Sequence, residues 1–339
     1  MKKFIIVLAL IATTSLLVVY GIFNSHFHTP ANALSTPVLV EIPYGTLPGT
    51  VGDILQEKQL LEDSKLFYWY IRIHGLAPSL KSGVYEIPPG QSIAQMADFL
   101  KSGNTATHKV TIPEGRASWE IFSILKETYP KLQLSVWDSL VVDRKFMNTL
   151  GVPQKSPSLE GYLLPETYHL PWQADEKTLI TILATAMSDL QKTLPLQESE
   201  VYRQYGWHGI LTLASVVEEE TSIAHERGEI SGVFYNRLQQ GIPLGADPTV
   251  RFIFRSLTGP IYKSQLASDN PYNTRRFKGL PPGPISNPGA KAIKAALFPD
   301  ETENLFFVAK DDGSKEHFFC PTLRCHNAKK AVAATNRGE

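Results

Sequence analysis

Residues 211–250 constrain the fold most, because an apolar helical pattern there runs directly into three consecutive glutamates, Glu218, Glu219 and Glu220. On a helix, side chains three, four and seven positions apart share a face. By that spacing each of the three carboxyl groups faces apolar or small side chains of the two preceding turns. A carboxyl group held against apolar neighbours tends to have a raised pKa, which suits a general acid near neutral pH. The alternative is that all three are solvated charges at a helix end.

The composition of the 339-residue chain argues against several classes of protein. It has 33 basic and 33 acidic residues, without the basic excess typical of a nucleic-acid-binding surface, so no nucleic-acid partner is expected. The sequence holds no Gly-rich phosphate loop with Lys-Ser/Thr and no Gly-x-Ser-x-Gly elbow, and His225-Glu226 lacks the second His of a zinc-protease helix. We therefore predict neither a cofactor nor a metal ion. The length suffices for two domains and a sizeable core.

The N-terminus predicts a membrane anchor. Phe4 to Phe23 is an uncharged run of 20 residues dominated by Ile, Leu, Val and Ala, and about 20 apolar residues span a bilayer core as a helix. Lys2 and Lys3 precede the run, and the next Lys or Arg is Lys58. Since positive charge stays cytoplasmic, we predict a single-pass protein of the inner (plasma) membrane. Residues 1–23 form its anchor, with the N-terminus in the cytoplasm and the remainder outside.

A cleaved signal peptide is the alternative interpretation of this N-terminus. Ala31-Asn32-Ala33 has the small-x-small form of a cleavage site. Signal peptides, however, have apolar regions of about 7–15 residues with the cleavage site close behind, and the run here is longer. We therefore favour the uncleaved anchor, followed by residues 24–37 as a short tether.

Residues 38–108 predict a small α+β module. Val38 to Ile42 and Gly83 to Ile87 have the pattern of strands, and a Pro-Pro-Gly turn ends the second one. Thr50 and Ser92 are candidate N-caps of two helices.

Residues 109–339 predict a larger α+β domain that opens with a strand and turn over Val110 to Gly115. A hairpin is predicted around Asp311-Asp312-Gly313. Further helices are predicted over Trp119 to Tyr129, Gln133 to Lys145, Glu176 to Gln191, Trp207 to Glu220 and Lys291 to Leu297. The predicted fold class of the chain is therefore α+β.

Two cysteines, Cys320 and Cys325, lie close together near the C-terminus. Outside the cytoplasm such a pair more often forms a disulfide or stays as two thiols. With His317 and His326 the pair could offer four metal ligands, but the spacing is not that of a standard zinc finger, and all four would crowd into one short hairpin. We predict cysteines that are bridged or idle, and no metal site.

Ordered motifs over more than a hundred residues resemble the YceG-like endolytic murein transglycosylases. The core signature is matched by Ser215 to Thr221, Glu226-Arg227, Val233 to Leu238 and Leu244 to Val250. Other matching elements are Glu160 to Tyr168, Pro271 to Thr274, Gly279 to Ile285 and Asn287 to Gly289. Ser82 to Tyr85 and Pro89 to Ile93 are similar to the LysM-like segment that precedes the catalytic domain in this family.

The resemblance implies a YceG-like catalytic domain over residues 109–339, preceded by a LysM-like module over residues 38–108. It implies cleavage of the MurNAc–GlcNAc β-1,4 bond within nascent glycan strands, which leaves 1,6-anhydroMurNAc ends and terminates glycan elongation. One glutamate, Glu218, would act as general acid and then as base. The substrate-binding residues implied are Glu220, Thr221, Arg227, Asn236, Asp247, Thr249, Tyr272, Asn273 and Thr274.

The same resemblance implies peptidoglycan glycan strands as the substrate, and penicillin-binding proteins of the elongation machinery as partners. Two features depart from the family: Gly245-Ala246 stands where Gln-Ser/Thr is frequent, and the two cysteines have no family counterpart. Three alternatives stay open. The helix-face argument equally allows Glu220 as the acid. The chain could also be a non-catalytic peptidoglycan-binding scaffold, or a lysozyme-like muramidase that hydrolyses the same bond.

Overall fold

The computed structural model describes residues 11, 13–15, 17–18, 21, 24–255, 257 and 259–338. The chain divides into two compact units. One runs up to His108 and includes Leu170–Gln173, and the other comprises Lys109–His169 and the chain from Ala174 onward. Most of the predicted anchor, Phe4 to Phe23, lies outside the described residues. Within the described part, no helix has the length and apolar character needed to cross a membrane.

The first unit packs helices around a small antiparallel sheet. Strands β1 (Val38–Ile42) and β2 (Gly83–Ile87) have the predicted bounds, and Val40 lies opposite Tyr85 in their register. Three helices follow or flank them: α1 (Pro48–Glu57), α2 (Ser64–Ile73) and α3 (Ile93–Ser102). Their shared core includes the fully buried side chains of Leu55, Phe67, Tyr85, Met96 and Leu100.

The two predicted N-caps of this unit had different outcomes. Ser92 caps α3 as predicted, because its hydroxyl accepts the N–H of Gln95 at 3.2 Å and the Gln95 side chain accepts the N–H of Ser92 at 2.9 Å. The prediction for Thr50 is wrong, since α1 begins at Pro48 and its N-cap is Leu47, three residues before Thr50. Pro48 explains the shift, because its fixed φ and missing N–H suit the first turn of a helix.

Two further strand pairs and ten helices lie in the described residues beyond α3. Strands β3 (Thr107–Thr111) and β4 (Thr167–Pro171) pair with each other, and β5 (Phe306–Ala309) and β6 (His317–Cys320) form the predicted hairpin. The helices are α4 (Ser118–Thr128), α5 (Leu134–Val142), α6 (Arg144–Thr149), α7 (Glu176–Thr193), α8 (Glu200–Glu220), α9 (Arg227–Gln239), α10 (Asp247–Ile253), α11 (Lys263–Leu266), α12 (Ala290–Leu297) and α13 (Leu323–Arg337). The α+β class is confirmed at this coarse level.

Several of these elements differ from their predictions. The single helix expected over Gln133 to Lys145 is two helices, because Asp143 ends α5 and caps α6 by accepting the N–H of Phe146 at 2.8 Å. Asp247 begins α10, whose first turn accommodates Pro248. Strand β4 and helix α13 were not predicted.

Helix α8 positions the three glutamates. Gly206 interrupts it with φ 66° and ψ −178°, so the run from Trp207 to Glu220 is a separate helical segment, as predicted. Every residue from Trp207 to Val217 is buried, and this segment packs against α9 and α12. The helix ends where Thr221 turns to an extended conformation. The fold thus presents three carboxyl groups at the carboxyl end of a central helix.

Candidate active site

Glu218 is nearly enclosed at the end of α8, with a side chain only 5% exposed. One of its carboxylate oxygens accepts a hydrogen bond from Arg227 Nη2 at 2.7 Å, and the other accepts the backbone N–H of Gly289 at 3.0 Å. Because a helix carries partial negative charge at its carboxyl end, a carboxylate there needs such donors. Glu218 is therefore not a solvated helix-end charge.

Glu114 joins this cluster from the loop between β3 and α4. Its carboxylate lies 3.8 Å from Arg227 Nη2, and its side chain is 43% exposed. Gly289 permits this approach, since a Cβ at that position would come within 2.0 Å of Glu114 Oε1. Sequence reasoning assigned no role to either residue. The sequence signal that could have pointed to Glu114 was the glycine-bearing turn after β3. Gly115 in that turn has a φ of +79° and lies close to Glu219.

An open cleft of about 390 Å³ surrounds these groups. It is lined by Glu114, Gly115, Glu218, Glu219, Glu220, Thr221, Ser222 and Arg227. The structure therefore brings the three predicted glutamates, Thr221 and Arg227 together in one place, with the enclosed carboxylate of Glu218 on the cleft wall.

The other two glutamates have raised pKa values. Burial raises the pKa of Glu220 to about 8, Asp247 raises it too, and Arg275 and Arg237 oppose the shift. Desolvation by neighbouring protein raises the pKa of Glu219 to about 7, although that residue as a whole is exposed. At neutral pH Glu220 is therefore mostly protonated, which is the property expected of a general acid.

Thr221 and Asn236, both predicted to bind substrate, are engaged within the protein. The buried Thr221 hydroxyl donates to Glu226 Oε2 at 3.3 Å and accepts the N–H of Ile223 at 2.9 Å. Asn236 Nδ2 donates to the backbone carbonyls of Thr302 at 2.7 Å and Asn304 at 3.2 Å. Thr221 thus orders the turn after α8, and Asn236 ties α9 to the segment before β5.

Three more of the predicted substrate-binding residues are fully buried, Thr249 within α10 and Asn273 and Thr274 in a loop that contacts it. The hydroxyls of Thr249 and Thr274 lie 2.9 Å apart, and Asn273 Nδ2 donates to the carbonyls of Leu266 at 3.0 Å and Ser268 at 2.9 Å. These buried hydrogen bonds stabilise the local conformation of the chain around α10.

Asp247, the first residue of α10, and Tyr272, in the neighbouring loop, lie nearer the surface. Asp247 Oδ1 accepts a hydrogen bond from Arg275 Nε at 2.5 Å in a half-exposed ion pair. The ring of Tyr272 packs against Phe252 with centroids 5.0 Å apart, and burial raises the pKa of its phenol to about 12. Asp247 is therefore available to a ligand through its exposed face, whereas Tyr272 contributes packing.

A buried pair, Glu160 and Asn287, lies behind the cleft. Glu160 is 4% exposed, and Asn287 Nδ2 donates to its Oε1 at 2.8 Å. Ser118 donates its N–H to both Glu160 oxygens at 3.1 Å. Burial raises the pKa of Glu160 to about 7 against the lowering effect of the Ser118 hydrogen bonds. Sequence reasoning quoted both residues within matching motifs but gave them no function.

Asn287 connects three loops around the cleft. Its Nδ2 also donates to the carbonyl of Arg116 at 2.9 Å, its Oδ1 accepts the N–H of Leu163 at 2.9 Å, and its carbonyl accepts the N–H of Gly115 at 3.0 Å. Gly289, which donates to Glu218, is two residues further along the chain. The network therefore fixes the two loops that approach Glu218.

Cys320 and Cys325 form a disulfide with a Cα–Cα distance of 5.6 Å. It joins the end of β6 to the first turn of α13. Bridging was one of the two predicted outcomes. Because both sulfur atoms are committed to the bond, the alternative of a metal site with His317 and His326 loses two of its four ligands.

Comparison with known proteins gives a consistent picture. The model of the YceG-like family matches residues 40–332. An endolytic murein transglycosylase of Bacillus subtilis (strain 168) is 32% identical over 321 residues, which are 90% of this chain and 87% of that protein. An endolytic murein transglycosylase of Streptococcus pneumoniae (strain ATCC BAA-255 / R6) is 28% identical over 93% of this chain. The chain spans only 62% of that pneumococcal protein.

A solved structure agrees with the fold. The crystal structure of a yceG-like protein from Listeria monocytogenes superposes with a TM-score of 0.60 at 29% identity, covering 86% of this chain and 98% of that one. With a family match over most of its length and a relative that is 32% identical over most of both chains, this chain belongs to the YceG-like family.

Proposed function

We propose that the chain is an endolytic murein transglycosylase that cleaves the MurNAc–GlcNAc β-1,4 bond within peptidoglycan strands and leaves 1,6-anhydroMurNAc ends. The observation that carries the proposal is the enclosed carboxylate of Glu218 on the wall of an open cleft, between Arg227 and the N–H of Gly289. The names of the Bacillus and Streptococcus relatives support the same reaction.

Glu218 is the proposed acid and base. Its protonated carboxyl gives a proton to the glycosidic oxygen as the bond to the muramyl C1 breaks. The carboxylate that results takes a proton from the muramyl C6 hydroxyl, whose oxygen closes on C1. The proton balance returns to its start and no water is consumed. Arg227 and the Gly289 N–H stabilise the carboxylate between the two transfers.

Glu220 is the alternative proton donor. Its raised pKa, about 8, keeps it mostly protonated at neutral pH, and it borders the same cleft as Glu218. In the favoured scheme Glu220 stays protonated and contacts the sugar. In the alternative scheme it gives the proton and Glu218 only stabilises charge. Separate Gln variants of the two residues distinguish these schemes.

The cellular setting is also a proposal. Residues 1–23 would anchor the chain in the inner (plasma) membrane with the N-terminus in the cytoplasm, supported by the apolar run and the lysines before it. The LysM-like module of residues 38–108 would hold glycan. Cleavage outside the membrane would end strand elongation beside penicillin-binding proteins.

The test is the nature and length of the products from isolated, uncrosslinked peptidoglycan. The proposal expects strands to shorten early through internal cuts, with anhydro-muramyl ends appearing at the same rate. A muramidase would yield reducing ends instead. A non-catalytic scaffold would bind the strands and leave their length unchanged.

A further inference from the structure

Glu220 also borders a second cleft, which has a volume of about 490 Å³. Its polar lining comes from six different elements or loops, and the rest of its lining is mainly apolar. The polar lining comprises Glu220, Arg237, Asp247, Arg275, His317, His326 and Lys330. Since Glu220 borders this cleft and the one beside Glu218, the two are adjacent.

The second cleft carries an excess of positive charge. Arg237, Arg275 and Lys330 contribute three basic side chains to its lining. Asp247 is paired with Arg275 at 2.5 Å, and Glu220 is mostly neutral at pH 7 because its pKa is about 8. Three cations therefore face a single ionised carboxylate, in a cleft that is ready to accept an anion.

Arg237 is held in position for such a role. Its Nε donates to the carbonyl of Leu305 and its Nη1 to the carbonyl of Leu244, each at 2.6 Å. Its guanidinium also lies over the ring of Phe306 at 5.2 Å. Among the described residues, Nη2 has no hydrogen-bond acceptor. A fixed guanidinium with a free donor recognises a carboxylate with little loss of side-chain entropy.

We propose that this cationic cleft binds a carboxylate of the stem peptide on the muramyl residue at the cleavage site. The inference rests on the proposed function and deepens it. A stem peptide branches from the same sugar whose bond is broken, so it must leave the glycan axis close to Glu218. The cationic cleft is adjacent to the one beside Glu218, since Glu220 borders both. The enzyme would therefore prefer strands that carry peptides over bare glycan.

The preference is measurable with two matched substrates. One is uncrosslinked glycan with its stem peptides, and the other is the same material after an amidase has removed them. We expect kcat/KM of the full-length protein to be about tenfold higher for the peptide-bearing strands, equivalent to about 1.4 kcal/mol.

Charge reversal locates the preference in the cleft. Lys330→Glu should remove most of the tenfold difference by slowing cleavage of peptide-bearing strands, with bare glycan cleaved as before. Arg324→Glu is the matched control, because Arg324 is an exposed cation on the same helix that does not line the cleft. It should keep the full preference.

Three results would overturn the subsite. They are equal kcat/KM for both substrates in the wild type, an equal loss on both substrates in Lys330→Glu, and inhibition by inorganic diphosphate but not by an acidic tetrapeptide. If the wild type cleaves neither substrate, the proposed function fails. The subsite is then tested by the binding of a labelled acidic tetrapeptide. If the subsite exists, the affinity for this peptide should be about tenfold weaker in Lys330→Glu than in the wild type.

Discussion

The carboxylate of Glu218 accepts hydrogen bonds from two donors. This arrangement explains how one residue could serve in both halves of a transglycosylation. Arg227 and the Gly289 N–H hold the carboxylate in one orientation. Catalysis by a positioned carboxyl group requires that geometry before any tuning of acidity.

Glu218→Gln should abolish most activity and leave the fold intact. The amide keeps the shape and can still accept a hydrogen bond, but it carries no transferable proton, so we expect a loss of about a hundred- to ten-thousand-fold. The rate of anhydro-end formation measures the loss, and circular dichroism checks the fold. Glu219→Gln is the matched control and should lose far less. A folded Glu218→Gln enzyme with near-normal turnover would transfer the role to Glu220.

Glu160 should make the protein less stable as pH rises. Its pKa is about 7 in the folded protein against an ordinary value of 4.5, so the folded state binds the proton more tightly. The stability that the protonated Glu160 contributes is complete below about pH 4.5 and is lost as pH rises through 7. Urea unfolding at pH 5 and pH 7.5 should therefore show a smaller fall in midpoint for Glu160→Gln than for the wild type. Equal falls would show that Glu160 is not the group that titrates.

At the scale of elements, sequence patterns predicted most helices and strands but not all their ends. The two short strands β1 and β2 and the capping box of α3 follow from local signals. The alternation of side chains and the Ser92–Gln95 pair are visible in the sequence. Strand β4 could not be predicted in this way, because its five residues acquire strand structure only by pairing with the distant β3.

The site shows the same division between local and distant signals. The three glutamates and Arg227 are readable from helix periodicity and motif order. The Gly289 N–H, Glu114 and the Glu160–Asn287 pair are not, because they come from loops far apart in the chain. Buried threonines such as Thr249 satisfy backbone groups, and the sequence does not distinguish that use from sugar binding.

The disulfide between β6 and α13 is expected to be structural only. It closes a small ring, so the double variant Cys320→Ser/Cys325→Ser should lose at most about 2–3 kcal/mol of stability. Cleavage of peptidoglycan should continue at the wild-type rate below the melting temperature. Thermal melts with parallel activity assays measure both effects. Loss of activity in a variant that is still folded would give the hairpin a functional role.

At the scale of the whole molecule, every group assigned to the chemistry lies beyond residue 110, whereas the proposed anchor ends at residue 23. Residues 24–339 alone should therefore be soluble and cleave peptidoglycan at a rate close to that of the full chain in detergent. Sedimentation and product analysis measure the two properties. A fragment that folds but does not cleave would show that the first 23 residues do more than anchor.

The most direct test of the central claim is the mass of the products formed by the wild-type protein in ¹⁸O-labelled water. Closure of the ring by the muramyl C6 hydroxyl predicts new muramyl ends that are one water lighter than reducing ends and carry no ¹⁸O. Reducing ends labelled with ¹⁸O would show that water attacks C1, and would contradict the assignment as a transglycosylase.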